Sequence, residues 1–289
     1  MIRSAGRGLT TRRLLLLAGG AALLLAVLVQ GAIETRAAAR TGPSPLLYLP
    51  SGHHLDVAAL GFDEVLADLI YLWSIQYYGH YDIADRYVYL DHIYRRVIAE
   101  LDPHYIDPYL IGALIMNVEA GDPEMALRLL DTGIANNPGR WILAFEAGFI
   151  CYEDLKDYDR AAVYFETALE APDVHPLVRR LHAAMVDRSG DPRAALRLWI
   201  EIHDTTDDAY ARQVAWNHIH DLKVEVDLAD LRAALGSWRA RHGDPPRRLE
   251  ALVAGGFLSR IPADPEDRPY RYDPAGGTVA YAGVPVVGR

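Results

Sequence analysis

The chain has one cysteine in 289 residues, so no intrachain disulfide can form. Cys151 lies in the apolar helical run Phe149-Ile150-Cys151-Tyr152 and reads as a small buried hydrophobe rather than a nucleophile. Also missing are a zinc-type His-Glu-x-x-His run, a serine-nucleophile elbow and a phosphate-cradling glycine loop. His218 and His220 are two positions apart, about 200 degrees around a helix, and cannot share an ion there. Glu100, Asp102, Asp107, Glu119, Asp122 and Glu124 cluster near one stretch, but carboxylates scattered on helices read as solvated faces. We therefore assign no catalytic residue, no metal ligand and no cofactor. Beyond the N-terminus acidic residues outnumber basic ones. The first forty residues hold six arginines and one glutamate, so the net −10 of the chain leaves −15 on residues 41–289. An acidic body is not drawn to nucleic acid or to anionic lipid.

What is present begins with an address. Arg3, Arg7, Arg12 and Arg13 precede an uncharged run from Leu14 to Ile33. At about 1.5 Å per helical residue, that run covers roughly 30 Å, the thickness of a bilayer core. It is longer than the apolar core of a cleaved signal peptide, about 7 to 15 residues. The expectation is a retained single-pass anchor in the inner membrane, its arginines cytoplasmic and its body facing the periplasm or exterior. The alternative is export after cleavage near Ala39. Residues 41–61, with Pro43, Pro45 and Pro50 among glycine and serine, read as an extended tether.

Two helices should follow, over Phe62–Gly79 and Asp82–Leu101. Nine of the seventeen tyrosines fall in residues 71–109. Tyrosine combines a large contact area with a polar end, which suits a binding groove and equally a helix-helix core. As partner-binding anchors we expect Tyr71, Trp73, Tyr77, Tyr78 and Tyr81, with Tyr109, Asn117, Trp141 and Tyr152 lining the groove beyond them.

Three stretches then repeat one signature: Gly121-Asp122-Pro123, Lys156-Asp157-Tyr158 and Gly190-Asp191-Pro192, each leading to a small residue, Ala126, Ala161 or Ala195. Those alanines are 35 and 34 positions apart. Four positions after each stand Leu130, Phe165 and Trp199, and seven after stand Gly133, Ala168 and Ile202, which keeps small and large residues on one helical face. A period near 34 is the length of a helical hairpin whose apolar face is buried only by its neighbours. With Trp141, Gly148, Tyr152, Tyr158, Ala161, Phe165 and Ala168, the segment over about residues 104–205 resembles the tetratricopeptide repeats. That resemblance implies a solenoid and says nothing of the ligand.

The tail differs. A helix over Leu228–His242 is stopped by Gly243-Asp244-Pro245-Pro246, and Leu249-Glu250-Ala251-Leu252, Ile261-Pro262-Ala263-Asp264-Pro265 and Pro269-Tyr270-Arg271-Tyr272 follow. Alternation around Gly276-Gly277 argues for a short hairpin. The order from 228 to 281 is similar to the end of the type II secretion major pseudopilin domain. That family has a glutamate ahead of its apolar run, whereas Glu34 here follows it, so polymerisation as a pilin is not expected. Pseudopilins also bind calcium; Asp264, Glu266, Asp267 and Asp273 are the local carboxylates, and as turn formers between prolines they have another use.

The fold expected is thus all-α: a solenoid of tetratricopeptide-like hairpins with an N-terminal transmembrane helix and a small C-terminal α+β appendage. Its divisions are 1–40 stub and anchor, 41–61 tether, 62–103 tyrosine-rich helical pair, 104–225 repeats and 226–289 cap. The function expected is a membrane-anchored scaffold, not an enzyme, that binds protein partners of a bacterial envelope complex. The pseudopilin resemblance implies a secretion or pilus-like assembly. The alternative is an envelope polysaccharide-binding or -processing protein that uses the tyrosine-rich groove.

Overall fold

Asp122, Asp157 and Asp191 perform the same two tasks one repeat apart. In each, the backbone N–H closes the end of one helix, on Met116 O (2.9 Å), Cys151 O (2.9 Å) and Val186 O (3.3 Å). In each, the carboxylate caps the start of the next helix, accepting from the N–H of Met125 (2.8 Å), Arg160 (3.0 Å) and Ala194 (2.9 Å). The residue before each aspartate is left-handed: Gly121 at φ 68°, Lys156 at 55° and Gly190 at 95°. These are the hinges of helical hairpins, and the repeated signature of the sequence encodes them.

The computed structural model describes residues 49–81 and 86–287, with Leu24, Leu25 and Leu28. The chain divides into two units, residues 1–48 with 79–86, and residues 49–78 with 87–289. In the first, Leu24, Leu25 and Leu28 are helical and exposed, and the Arg86 guanidinium lies 4.7 Å from the centre of the exposed Tyr81 ring. The rest of the expected anchor over Leu14–Ile33 lies outside the described residues. Among those described, no helix is long and apolar enough to cross a membrane.

The second unit is mostly helical. Helix α1 (Gly52–Ala59) and α2 (Asp63–Tyr78) precede a π-helical stretch, His92–Ile98, that runs into α3 (Ala99–Leu101). Then come α4 (Ile106–Leu114) continued by π-helical Ile115–Glu119, α5 (Pro123–Asn136), α6 (Trp141–Ile150) continued by π-helical Cys151–Leu155, and α7 (Tyr158–Leu169). Helices α8 (Leu177–Arg188), α9 (Pro192–Thr205), α10 (Ala209–His242) and α11 (Glu250–Ala254) follow, and the chain closes on β1 (Arg271–Asp273) and β2 (Thr278–Ala280). From α4 to α10 each helix packs on the next in chain order, and α6 also touches α4. Prolines 138 and 172 stand just beyond the ends of α5 and α7, as their lack of an amide donor requires.

The faces predicted from spacing are buried. Ala126, Ala161 and Ala195 are fully enclosed, as are Leu130, Phe165 and Ala168, with Trp199 and Ile202 nearly so. Glycines admit the rings: a Cβ on Gly148 would lie 2.8 Å from Phe165, one on Gly133 2.8 Å from Tyr109, and one on Gly112 2.4 Å from Tyr94. Polar pairs bridge helices one repeat apart. Arg160 of α7 makes a two-pronged contact with Glu124 of α5 (2.7 and 3.0 Å), and Tyr164 donates to Asp131 (2.8 Å). Being exposed, these pairs set register more than they stabilise.

Three expectations are corrected. The tether does not extend over 41–61, because residues 52–59 form α1, and residues 41–48 lie outside the described residues. Gly52 is buried so tightly that a Cβ there would meet Glu100 Cβ and Val97 O at 2.6 Å, and the His53 N–H donates to Glu100 (3.1 Å). The helix expected from Asp82 starts near Leu90, after turns at 86–89, with 82–85 outside the described residues. The tail helix does not begin at Leu228. Nothing between Ala209 and Leu235 breaks a helix, and the 34 residues of α10 run unbroken across residue 226, where repeats and cap were divided. Its first half joins Ala215 and Leu222 to Ala183, Ala195, Trp199 and Ile202; its second half packs Leu231, Ala234 and Leu235 on Leu249, Leu252, Tyr270 and Val279. The expected hairpin is present, antiparallel with Tyr272 opposite Val279.

Thermal unfolding of three variants checks this account. Lys156→Gly should stabilise by about 1 kcal/mol by relieving a left-handed side chain, whereas Asp157→Ala should cost about 1 kcal/mol through the lost cap. Gly148→Ala should lower Tm: overpacking against the enclosed Phe165 costs about 1–3 kcal/mol, while the gain in helix propensity is about 1 kcal/mol.

Candidate binding surface

The tyrosines proposed as anchors are mostly interior. Tyr71, Tyr77, Tyr78 and Tyr109 are buried, and Trp73 is half-buried and stacked on Tyr77 with ring centres 5.4 Å apart. Tyr71 sits edge-on to Tyr94 (6.3 Å) and Tyr105 (5.3 Å), and Ser74, fully enclosed, donates to the Tyr71 carbonyl (2.7 Å) and lies 3.1 Å from the Tyr94 hydroxyl. Burial pushes the Tyr71 hydroxyl up to about 12. Tyr109 donates to Pro103 O (3.1 Å) and accepts from Asn136 (3.0 Å), so it closes the start of α4 rather than lining a groove. The residue types were read correctly as large and amphipathic, but they meet one another because α2, the His92–Ile98 stretch and α4 converge there. Tyr81 stays exposed, in the other unit.

The remaining candidates do come together. Asn117 donates to Asp154 (2.8 Å), tying the end of the α4 segment to the end of the α6 segment. Along α6 and its π-helical continuation, Trp141, Phe145, Phe149 and Tyr152 form a ladder with ring centres 5.8, 6.0 and 6.1 Å apart. Their spacing of four, four and three keeps them on one helix face. Phe149 is exposed, and the other three are half-buried. On neighbouring α4 and its π-helical continuation, Leu114 and Val118 are 56% and 67% exposed. Arg188 of α8 extends the surface, its guanidinium 5.1 Å from the centre of the Tyr152 ring, close enough for a cation–π contact. Leu114, Val118, Phe145 and Phe149 were not among the partner-binding residues expected from the sequence. The four-residue steps from Trp141 were a usable signal; which side of α6 is left uncovered was not.

Other chemistry is committed internally. Cys151 is enclosed and its thiol is pushed up to about 11 by burial, so it is not a nucleophile at neutral pH. An open polar cleft of about 770 Å³ has Arg95 and Arg96 on its wall, but Arg95 is held by Asp91 (2.8 Å) and Arg96 by Glu100 (3.4 Å). Among the described residues, no three His, Cys, Asp or Glu side chains are grouped to hold a metal. Asp264 caps its own turn, accepting from the N–H groups of Glu266 (3.0 Å) and Arg268 (2.7 Å), and Asp273 likewise receives Ala275 (3.0 Å) and Gly276 (3.1 Å).

His220 is the exception, because it is nearly buried between two carboxylates. Its Nδ1 is 2.9 Å from Asp221 and its Nε2 is 2.9 Å from Glu266, an arrangement that suits an imidazolium donating from both nitrogens. The Tyr281 hydroxyl lies 3.1 Å from the same Nε2. Burial opposes the charge, but the hydrogen bonds to Asp221 and Glu266 outweigh it and raise the His220 pKa. Asp221 also accepts from the N–H groups of Val286 (2.8 Å) and Val287 (2.7 Å), so this cluster holds the end of the chain. Searches of known protein families and of curated proteins return no match.

Two predictions follow from burial. The Tyr78 hydroxyl is enclosed with no hydrogen-bond partner among the described residues, so Tyr78→Phe should leave the protein at least as stable, and up to about 1–3 kcal/mol more stable in chemical denaturation. Because the folded pKa of His220 is raised, its stabilisation is complete below about pH 6.5 and is lost as pH rises through the raised value. Tm should therefore fall from pH 6.5 to 9 in the wild type, and His220→Gln should flatten that slope.

Proposed function

We propose that this protein is a membrane-anchored scaffold whose stacked hairpins form a tetratricopeptide-like solenoid that binds protein partners in the bacterial cell envelope. The observation that carries the reading is the exposure of large apolar side chains on the touching first helices of successive hairpins, Leu114 and Val118 on one and Phe149 on the next. Monomeric proteins rarely leave contiguous apolar patches uncovered without a use. The first helices of consecutive hairpins present such a face side by side, and a partner helix or extended peptide can lie along it. Anchoring by residues 14–33 with the body outside the cytoplasm rests on the length of the apolar run and the arginines before it. A role beside a secretion or pilus-like assembly rests on the pseudopilin-like order of the tail alone. The polysaccharide alternative gains no support, since most of the tyrosines it would use, Tyr71, Tyr77, Tyr78 and Tyr109, are interior.

A photo-crosslinking amino acid placed at Leu114 and at Phe149 in the full chain, expressed in cells, tests the reading. Both positions should capture the same protein, whereas Val163, more exposed than either and on α7, should not. Exchanging Leu114 and Phe149 together for glutamate should weaken capture by tenfold or more, as expected when two contacts of about 1 kcal/mol or more are lost. Equal capture at all three positions, or none at 114 and 149, would reject this surface.

A further inference from the structure

A second apolar stripe lies on α2. Helix α2 buries Ala67, Ile70, Tyr71, Ser74, Tyr77 and Tyr78 and turns Val65, Leu69, Leu72 and Ile75 outward. Phe62 and Leu60 lead into the same region from the turn before it, and with Val65, Leu69 and Leu72 they are more than half exposed. Residues 62, 65, 69 and 72 recur at steps of three, four and three, one face of a helix. The charged residues beside the stripe, Glu64 and Asp68, are both acidic, and α2 carries no basic residue.

The chain itself limits what can lie against this face. Sixteen peptide steps separate Ile33, the last residue of the uncharged run, from Leu49, and even fully extended they reach at most about 55 Å. Because residues 52–59 are helical and packed rather than part of a tether, no further slack precedes α2. A bilayer that holds the run Leu14–Ile33 is therefore present at high effective concentration beside the α1–α2 surface. An apolar helix face kept that close to an interface gains by entering the boundary between headgroups and acyl chains. We propose that the outward face of α2 docks on the bilayer that anchors the chain, with Phe62, Leu69 and Leu72 inserted. The acidic flanks select a zwitterionic over an anionic surface. This rests on the anchor reading of residues 14–33.

The test uses the full chain in phosphatidylcholine nanodiscs, with single cysteines introduced by Leu24→Cys, Leu69→Cys, Leu72→Cys and Val163→Cys and spin-labelled. Cys151 is enclosed and its thiol is pushed up to about 11, so it does not compete for label. Collision with oxygen, which concentrates in lipid, is compared with collision with a water-soluble nickel chelate. The expected result is that labels at 24, 69 and 72 favour oxygen several-fold while the label at 163 favours nickel, and that adding phosphatidylglycerol does not strengthen the contact at 69 and 72. Labels at 69 and 72 as open to nickel as 163, with 24 in lipid, overturn the docking and leave the anchor standing. Protection of 69 and 72 from both reagents overturns it in favour of a protein cover, and spin–spin broadening then identifies a second copy. A label at 24 that favours nickel overturns the anchor reading and the docking with it.

Discussion

The packing of this protein depends on rings seated against glycines. Tyr94 occupies the space a side chain at Gly112 would need, Tyr109 that of Gly133, and Phe165 that of Gly148. Each contact lets two helices approach by the depth of a missing Cβ, and each ring belongs to a neighbouring helix, so the constraint passes from hairpin to hairpin. Interiors packed at crystal-like density leave no room to adjust. The alanines at 126, 161 and 195 extend the same rule along the second helix of each hairpin. Connections held by a left-handed residue and a capping aspartate then fix the angle at which each helix leaves its predecessor.

Given that interlock, the surfaces follow. Polar pairs one repeat apart, Glu124 with Arg160 and Asp131 with Tyr164, line one side of the stack, and Asn117 with Asp154 ties its other helices at their ends. Leu114, Val118 and Phe149, on the first helices of successive hairpins, remain exposed. The long helix α10 ends the stack by serving two cores: Ala215 and Leu222 complete the last hairpin, and Leu231, Ala234 and Leu235 receive the tail. The tail is secured by polar contacts as well as apolar ones. Lys223 donates to Asp227 (2.6 Å) and to Ala263 O (2.7 Å), Tyr270 donates to Asp227 (2.9 Å), and His220 reaches Glu266 across 46 residues. No short motif in the sequence could join those partners.

Most of the elements were legible because they are local. The hinge aspartates, the burial of Ala161 and Phe165, the terminating prolines and the glycine turn of the final hairpin each depend on residues a few positions apart, and helix geometry acts at that range. The α1 helix was not legible, since prolines and glycines upstream suggested a tether while the tight seat of Gly52 on Val97 and Glu100 comes from residues more than forty positions away. The unbroken α10 was misread for a related reason: a change in tail composition suggested a boundary where the backbone has none.

The sequence by itself determined that the chain is mostly helical, that its hairpins recur every 34 or 35 residues, and which faces of those hairpins are buried. Periodicity of small and large residues carries that information, because burial on a helix depends on angular position. Only the tertiary structure decided which aromatic residues face solvent. Tyr78 and Tyr94 are identical in type to Tyr152, yet the first two lie enclosed between converging helices and the third is half-buried beside the exposed Phe149. A side chain's type sets how much it gains from burial. Whether it is buried depends on what another helix brings against it.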